Sequence, residues 1–187
     1  ALYLTGVERN GDIVSMTSYA PLLAKDKHTQ WSPDLIYFDN TEVKPTVGYY
    51  TQLMYGQNSG NEYLFSAIDL DNRQEAVKKR VGASVVKENE SADIIVKLVN
   101  LLPVSVRSQV ELDGDALIHP SAIKTVLTGD PKDKQAKPVS SGFELSGNNF
   151  SYEMPAYSFT VIRIHSTGNR GQLSYTGITF IKNNLYI

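Results

Sequence analysis

The sequence predicts a mainly-β fold, an antiparallel two-sheet sandwich or barrel preceded by a shorter α/β segment. Three observations carry that expectation. After Gly60, short runs rich in β-branched and aromatic residues recur at near-regular spacing. The stretches between them carry turn chemistry: Asn89-Glu-Ser, Asp113-Gly-Asp, Gly129-Asp-Pro and Ser146-Gly-Asn-Asn. Before Gly60 the order is helix, strand, helix, the rhythm of an α/β unit and not of a sandwich.

Taken in order, Leu2, Leu4, Val7, Ile13 and Met16 sit at loosely helical spacings broken by Gly6 and Gly11, and predict a first helix. Pro21, inside the run 18–24, stands against a regular continuation of that helix. Residues 34–39, Asp-Leu-Ile-Tyr-Phe-Asp, form a short strand bounded by Pro33 and Asn40. Residues 45–55 predict a second helix, with Pro45 suited to its first turn and Gly56 to its end. Strands follow at 62–70, 81–87, 94–101, 106–112, 123–127, 142–145, 150–154 and 158–165. Polar positions alternate with apolar ones in 94–100 and 158–165, and 130–138 reads as a polar loop at one end of the β unit.

A chain of 187 residues can bury one substantial core. A formal charge of −2 with mixed signs offers no electrostatic footprint for nucleic acid or an anionic membrane. The tight basic cluster Lys78-Lys79-Arg80 reads as solvated charge. The absence of cysteine excludes disulfides and thiolate metal sites. No apolar run reaches membrane-spanning length, and the amino end has neither a basic leader nor a cleavage site. That end opens inside a predicted helix without a capping residue, so a fragment of a longer polypeptide is expected.

No nucleophile elbow, dinucleotide-binding glycine pattern or phosphate loop is present. His28, His119 and His165 are far apart in sequence and lack zinc-ligand spacing. Asp69-Leu-Asp-Asn72 and Asp113-Gly-Asp115 contain oxygen ligands suited to calcium, but neither completes a loop motif, and ordinary turns account for them. Asn89-Glu-Ser and Asn149-Phe-Ser match the glycosylation pattern, which short tripeptides often match by chance. Neither a metal nor a cofactor is expected.

Several phrases, in order, resemble one family. They are Glu8-Arg-Asn-Gly-Asp-Ile-Val-Ser-Met-Thr-Ser-Tyr-Ala-Pro-Leu22, Trp31-Ser-Pro-Asp-Leu-Ile-Tyr-Phe-Asp-Asn40 and the run 45–55. The β region adds Val85-Val-Lys, Ile95-Val-Lys-Leu-Val-Asn-Leu-Leu-Pro103, Lys124-Thr-Val-Leu-Thr-Gly-Asp130 and Pro155-Ala-Tyr-Ser-Phe-Thr-Val-Ile-Arg-Ile164. The ordered set, covering residues 8–164, resembles the carboxyl-terminal region of the α-L-arabinofuranosidases of glycoside hydrolase family 51. The resemblance implies a jelly-roll-like antiparallel β-sandwich at 61–165, preceded over 1–60 by the α/β remnant of a (β/α)8 barrel. Residues 166–187 run past the family's usual end, and 177–181 and 185–187 are candidates for an additional strand.

The same resemblance implies that both catalytic glutamates lie upstream, so no catalytic residue is assigned here. It implies that Ser18–Pro21 lies near the last barrel strand, which makes Tyr19 a candidate for lining the sugar pocket. Asp39 and Asn40 are further pocket candidates, although turn chemistry also explains them. Glu8 and Asp12, the nearest local carboxylate pair, read as a solvated helix face. Were the chain a complete small enzyme, Glu8, Asp34 and Asp39 would be its first candidate carboxylates. The expected partners are the upstream barrel of the same polypeptide and, through the parent enzyme, an arabinose-containing polysaccharide. Apolar residues such as Leu35, Tyr37, Tyr50 and Met54 are expected to fold back on the sandwich or to mediate a dimer. The parent's setting would be periplasmic or secreted. The rival function is an autonomous carbohydrate-binding module, for which Trp31 lies outside the sandwich and Tyr152 and Tyr157 read as strand packing.

Overall fold

The structure, a computed structural model, describes residues 1–72, 74–114 and 117–166, with the strand backbone of 173–181 and the side chain of Ile178 within it. The elements run α1 (Leu2–Arg9), β1 (Leu23–Lys25), β2 (Ile36–Phe38), β3 (Val43–Pro45), α2 (Val47–Gly56), β4 (Glu62–Leu64) and β5 (Ser66–Leu70). They continue with α3 (Glu75–Lys78), β6 (Val81–Glu88), β7 (Asp93–Asn100), β8 (Val106–Gly114) and β9 (Ser121–Thr128). The last are β10 (Val139–Glu144), β11 (Asn149–Met154), β12 (Ser158–His165) and β13 (Leu173–Ile181). The fold is mainly β, with an α/β segment ahead of a two-sheet sandwich.

One sheet has the order β10-β9-β12-β7-β6-β4, and the other β11-β8-β13-β5. Pairing is antiparallel throughout both except between β13 and β5. The core between them takes Val85, Ile94, Val96, Leu98 and Ile162 from the first sheet. Val110, Phe150, Met154 and Ile178 come from the second. The other face of the six-stranded sheet is also covered. Leu4 of α1 and Met54 and Tyr55 of α2 pack there on Val86, Ile95, Val99, Leu127 and Phe159. The Tyr55 ring stacks on Phe159 with centroids 4.7 Å apart, a geometry that adds about 0.5–1.5 kcal/mol to the area buried. The molecule is therefore three-layered, and β7, in the middle layer, is buried along its whole length.

The structure corrects the expected elements at several points. The first helix ends at Arg9, and Ile13 and Met16 lie beyond it, 80% and 84% exposed. Asn10 ends it by donating its side-chain amide to the Gly6 carbonyl at 2.7 Å, filling an acceptor that the helix end leaves open. The second helix starts at Val47, not Pro45. Thr46 is its N-cap, its hydroxyl accepting from the Tyr49 N–H at 3.3 Å and donating to the Leu35 carbonyl at 2.7 Å. Pro45 instead closes β3, an edge strand where a missing N–H is tolerated. The run 62–70 is two strands in different sheets, with the exposed Phe65 at the crossing. Leu35 and Met54 are buried at 5% and 3% exposure, and Met54 packs on the six-stranded sheet, as the fold-back alternative expects. The alternation in β7 does not mark a wet face either, because Lys97 and Asn100 are both fully buried.

The strand candidate at 177–181 falls within β13. The candidate at 185–187 lies outside the described residues, as does Asp115 of the calcium reading.

Candidate functional site

The α/β segment carries the pocket candidates. Strands β1 and β2 pair in parallel, with Leu23 beside Ile36 and Lys25 beside Phe38. Strand β3 folds back antiparallel on β2. Tyr19 precedes the amino end of β1, whereas Asp39 and Asn40 follow the carboxyl end of β2, so the small sheet separates them. Tyr19 is 38% exposed, and its hydroxyl has no hydrogen-bond partner among the described residues. Residues 14–19 adopt no regular secondary structure and 20–21 form a bend, and no backbone hydrogen bond joins 15–20 to a described strand.

Asp39 has a local duty. One of its oxygens accepts from the Thr41 N–H at 2.8 Å, the Thr41 hydroxyl at 2.7 Å and the Glu42 N–H at 3.0 Å. The other accepts from Lys44 Nζ at 3.0 Å. The Thr41 bonds first, then Lys44 and Glu42, hold the Asp39 carboxyl well below the usual carboxylate range. Asp39 is thus unsuited to a general acid's task at neutral pH. Asn40, in the same turn, is exposed. Lys44 is the hub, 3.1 Å from Asp26, 3.0 Å from Asp39 and 3.1 Å from Glu42. These carboxylates, Asp39 foremost, push its ammonium pKa up. The expected polar loop at 130–138 closes the other side of an open cleft of about 630 Å3, which Tyr37, Lys44, Lys134 and Lys137 line.

The second cluster joins the α/β segment to the sandwich. Glu8 does not lie on a solvated helix face with Asp12, because α1 ends between them and Glu8 turns toward the sheet. Its Oε1 accepts from Lys97 Nζ at 2.6 Å and its Oε2 from the Ser84 hydroxyl at 2.5 Å. The Lys97 ammonium lies 5.5 Å from the centroid of the Tyr55 ring. Burial lowers the Lys97 pKa from the ordinary lysine value, and the attraction of Glu8 opposes that shift without cancelling it. Desolvation likewise raises the Tyr55 phenol, with the Glu8 charge adding to it. Arg9 reaches the Ala83 carbonyl and the Tyr63 hydroxyl, each at 3.4 Å.

Asp34, His119 and His165 make contacts within the fold. Asp34 is buried, accepting from the Thr29 hydroxyl at 3.2 Å. His119 and His165, distant in sequence, meet through a backbone bond of 2.8 Å from the His119 N–H to the His165 carbonyl. Their rings are engaged separately, His165 with Asp93 at 3.0 Å and His119 with Ser121. Lys97, Ser84 and Lys44 were not among the residues singled out from the sequence. The available signal for Lys97 was a lone charge in the apolar run 94–99, since strands buried on both faces read as continuous apolar runs.

Comparison with known proteins gives a consistent result. A family model described as the α-L-arabinofuranosidase C-terminal domain matches residues 1–158. α-L-arabinofuranosidase 1 of Arabidopsis thaliana is 29% identical over 172 residues, covering 86% of this chain and 25% of that protein. An extracellular exo-α-L-arabinofuranosidase of Streptomyces chartreusis is 43% identical over 61 residues, covering 33% of this chain and 7% of that protein. Among solved structures, an arabinose-bound MgGH51 α-L-arabinofuranosidase superposes with a TM-score of 0.74 at 27% identity, covering 88% of this chain and 26% of that one. The chain thus spans about a quarter of the Arabidopsis relative's length.

Proposed function

From the premise that this chain belongs to the α-L-arabinofuranosidase C-terminal domain family, as the match over residues 1–158 shows, we propose that it is the non-catalytic end of a family 51 glycoside hydrolase and stabilises that enzyme's catalytic barrel. The reading takes residues 1–60 as the last part of the barrel and the sandwich as its support. The observation that carries it is the irregular run 15–20. It has no backbone hydrogen bond to a described strand, and apolar side chains stand exposed on either side of it and within the same segment. Ile13, Met16, Leu22, Leu23 and Trp31 are 80%, 84%, 51%, 60% and 69% exposed. A segment whose backbone N–H and C=O groups have no backbone partner among the described residues, bordered by exposed apolar side chains, is suited to being covered by further structure. The parallel pairing of β1 with β2 is the pairing of α/β units and suits the same reading.

In this proposal the parent enzyme removes terminal arabinofuranosyl groups from arabinan or arabinoxylan with retention, using two glutamates supplied upstream. Tyr19 lines the sugar pocket, and Asp39 and Asn40, at the opposite end of the small sheet, hold the β2–β3 turn. A secreted or periplasmic setting is supported by the Streptomyces relative, which is named extracellular. A free-standing carbohydrate-binding role is less well supported. Tyr152 is in the core at 7% exposure, and the exposed Trp31 lies outside the sandwich.

The deciding experiment is hydrolysis of 4-nitrophenyl α-L-arabinofuranoside by this chain and by the polypeptide extended upstream through its barrel. Activity in the extended form alone is expected. Activity in the short chain would overturn the proposal.

A further inference from the structure

We infer that Glu8 and Lys97 form a positioning clasp, which sets where the run 15–20 meets the upstream catalytic part. The inference rests on the functional reading above and names the device that aligns its two parts.

Lys97 sits in the middle of β7, held between β6 on one side and β12 on the other. It points away from the sandwich core, on the same face as Ile95 and Val99, into the layer beneath the two helices. Its surroundings there are apolar, and the carboxylate that pairs with it comes from α1, across a chain separation of 89 residues. A buried ion pair seldom holds two surfaces together better than apolar residues of the same size. Adhesion alone does not call for a lysine at this position. The ion pair adds direction. Glu8 is fixed at both oxygens, one on β7 through Lys97 and one on β6 through Ser84. Arg9 then reaches the Ala83 carbonyl on β6 and the Tyr63 hydroxyl on β4. The carboxyl end of α1 is thereby registered against three strands of the six-stranded sheet. Gly82 of β6 allows the close approach, because a Cβ there would come within 2.4 Å of a Leu2 methyl.

The path from the clasp to residues 15–20 is short. The N–H groups of Ile13 and Val14 both donate to the Asn10 carbonyl, at 3.0 and 2.8 Å, and turn the chain directly into 15–20. Tyr19 lies between that turn and the Pro21 carbonyl, which accepts from the Leu35 N–H at 3.3 Å, so a slip of α1 by one helical turn, about 5.4 Å, would pull on the short segment that carries it. Glu8 and Lys97 touch no substrate in this scheme and act through the placement of that residue.

The test uses the full polypeptide and 4-nitrophenyl α-L-arabinofuranoside. Glu8→Leu/Lys97→Met removes both charges and keeps apolar bulk. The expected result is a melting temperature within about 3 °C of the parent and a KM raised on the order of fivefold, as pocket displacement requires. Partial unfolding would instead lower kcat and leave KM unchanged. An unchanged KM in a folded, active double variant overturns the clasp alone. If the double variant does not fold, Ser84→Ala decides the matter, with a KM raised about twofold at the parental melting temperature as the supporting result. An unchanged KM in Ser84→Ala overturns the clasp. No hydrolysis by the unmodified polypeptide overturns the functional reading, and the clasp with it.

Discussion

Lys97 has no exposed surface, and its nearest carboxylate belongs to the amino-terminal helix, 89 residues earlier. Lys97→Met alone would leave the Glu8 carboxylate in a mostly apolar layer, with Ser84 still donating to it. We expect denaturant unfolding to show a loss of about 3 kcal/mol, recovered to within about 1 kcal/mol by Glu8→Leu in the same chain. The pH dependence has a definite sign. Because the folded Lys97 pKa is below the ordinary lysine value, the unfolded chain holds a proton in that window that the folded chain has released. Stability therefore rises with pH from the lowered value up to the ordinary one. Lys97→Met should flatten that rise, and paired unfolding curves across the alkaline range would reveal it. A rise of equal slope in the variant would assign it to other groups. The residue was hard to read from sequence for the same reason. Its neighbours Ile94, Ile95, Val96, Leu98 and Val99 are apolar on both faces, and no periodicity says which face a lone charge joins or what meets it there. Asp39 was easier, since a turn signal names a turn, though not the lysine that closes it.

At the level of elements, the strands after Gly60 were legible because period and turn chemistry agree within each. The runs 81–87, 106–112, 150–154 and 158–165 differ from β6, β8, β11 and β12 by at most two residues at either end. What alternation could not reveal was the crossing at Phe65. A chain passing between sheets keeps the same local composition on both sides. The helices were less legible, since Asn10 and Thr46 set their limits through individual side-chain bonds and not through apolar spacing. Gly60, just ahead of β4, has a φ of +67°. A Cβ there would lie 2.9 Å from the Lys87 carbonyl oxygen and 2.7 Å from a Val86 methyl. Gly60→Ala should thus combine backbone strain with a clash against a fixed strand and cost about 1–3 kcal/mol. A thermal melt of the variant within about 1 °C of the parent would show that β4 re-seats at no cost.

For the whole molecule, the third layer matters most. Helices α1 and α2 are packed on the six-stranded sheet through Leu4, Met54 and Tyr55, so most of the α/β segment's apolar content is already used inside this chain. Exposed apolar side chains remain at Ile13, Met16, Leu22, Leu23 and Trp31, and also at Tyr3 and Val43. The isolated chain should accordingly self-associate, with light scattering reporting a mass that rises with concentration. Ile13→Ser/Met16→Ser should lower that mass toward the monomer. A monodisperse monomer in the unsubstituted chain would show that the exposed stretch needs no cover. Residues 1–60 supplied the sequence signs of an α/β unit, yet the identity of the exposed face depended on helix ends that only the tertiary contacts disclose.

The placement of β13 bears on how such a chain is made. This strand lies between β8 and β5, pairing antiparallel with the first and parallel with the second. The twelve other strands among the described residues precede it in the order of synthesis. While the polypeptide is leaving the ribosome, β5 and β8 stand on either side of a vacant lane, and the second sheet cannot close. Late, long-range pairing of this kind slows folding and leaves strand edges open meanwhile. An abrupt gain in protease resistance is therefore expected only once the ribosome has released Ile181, and arrested nascent chains of stepped length would locate it.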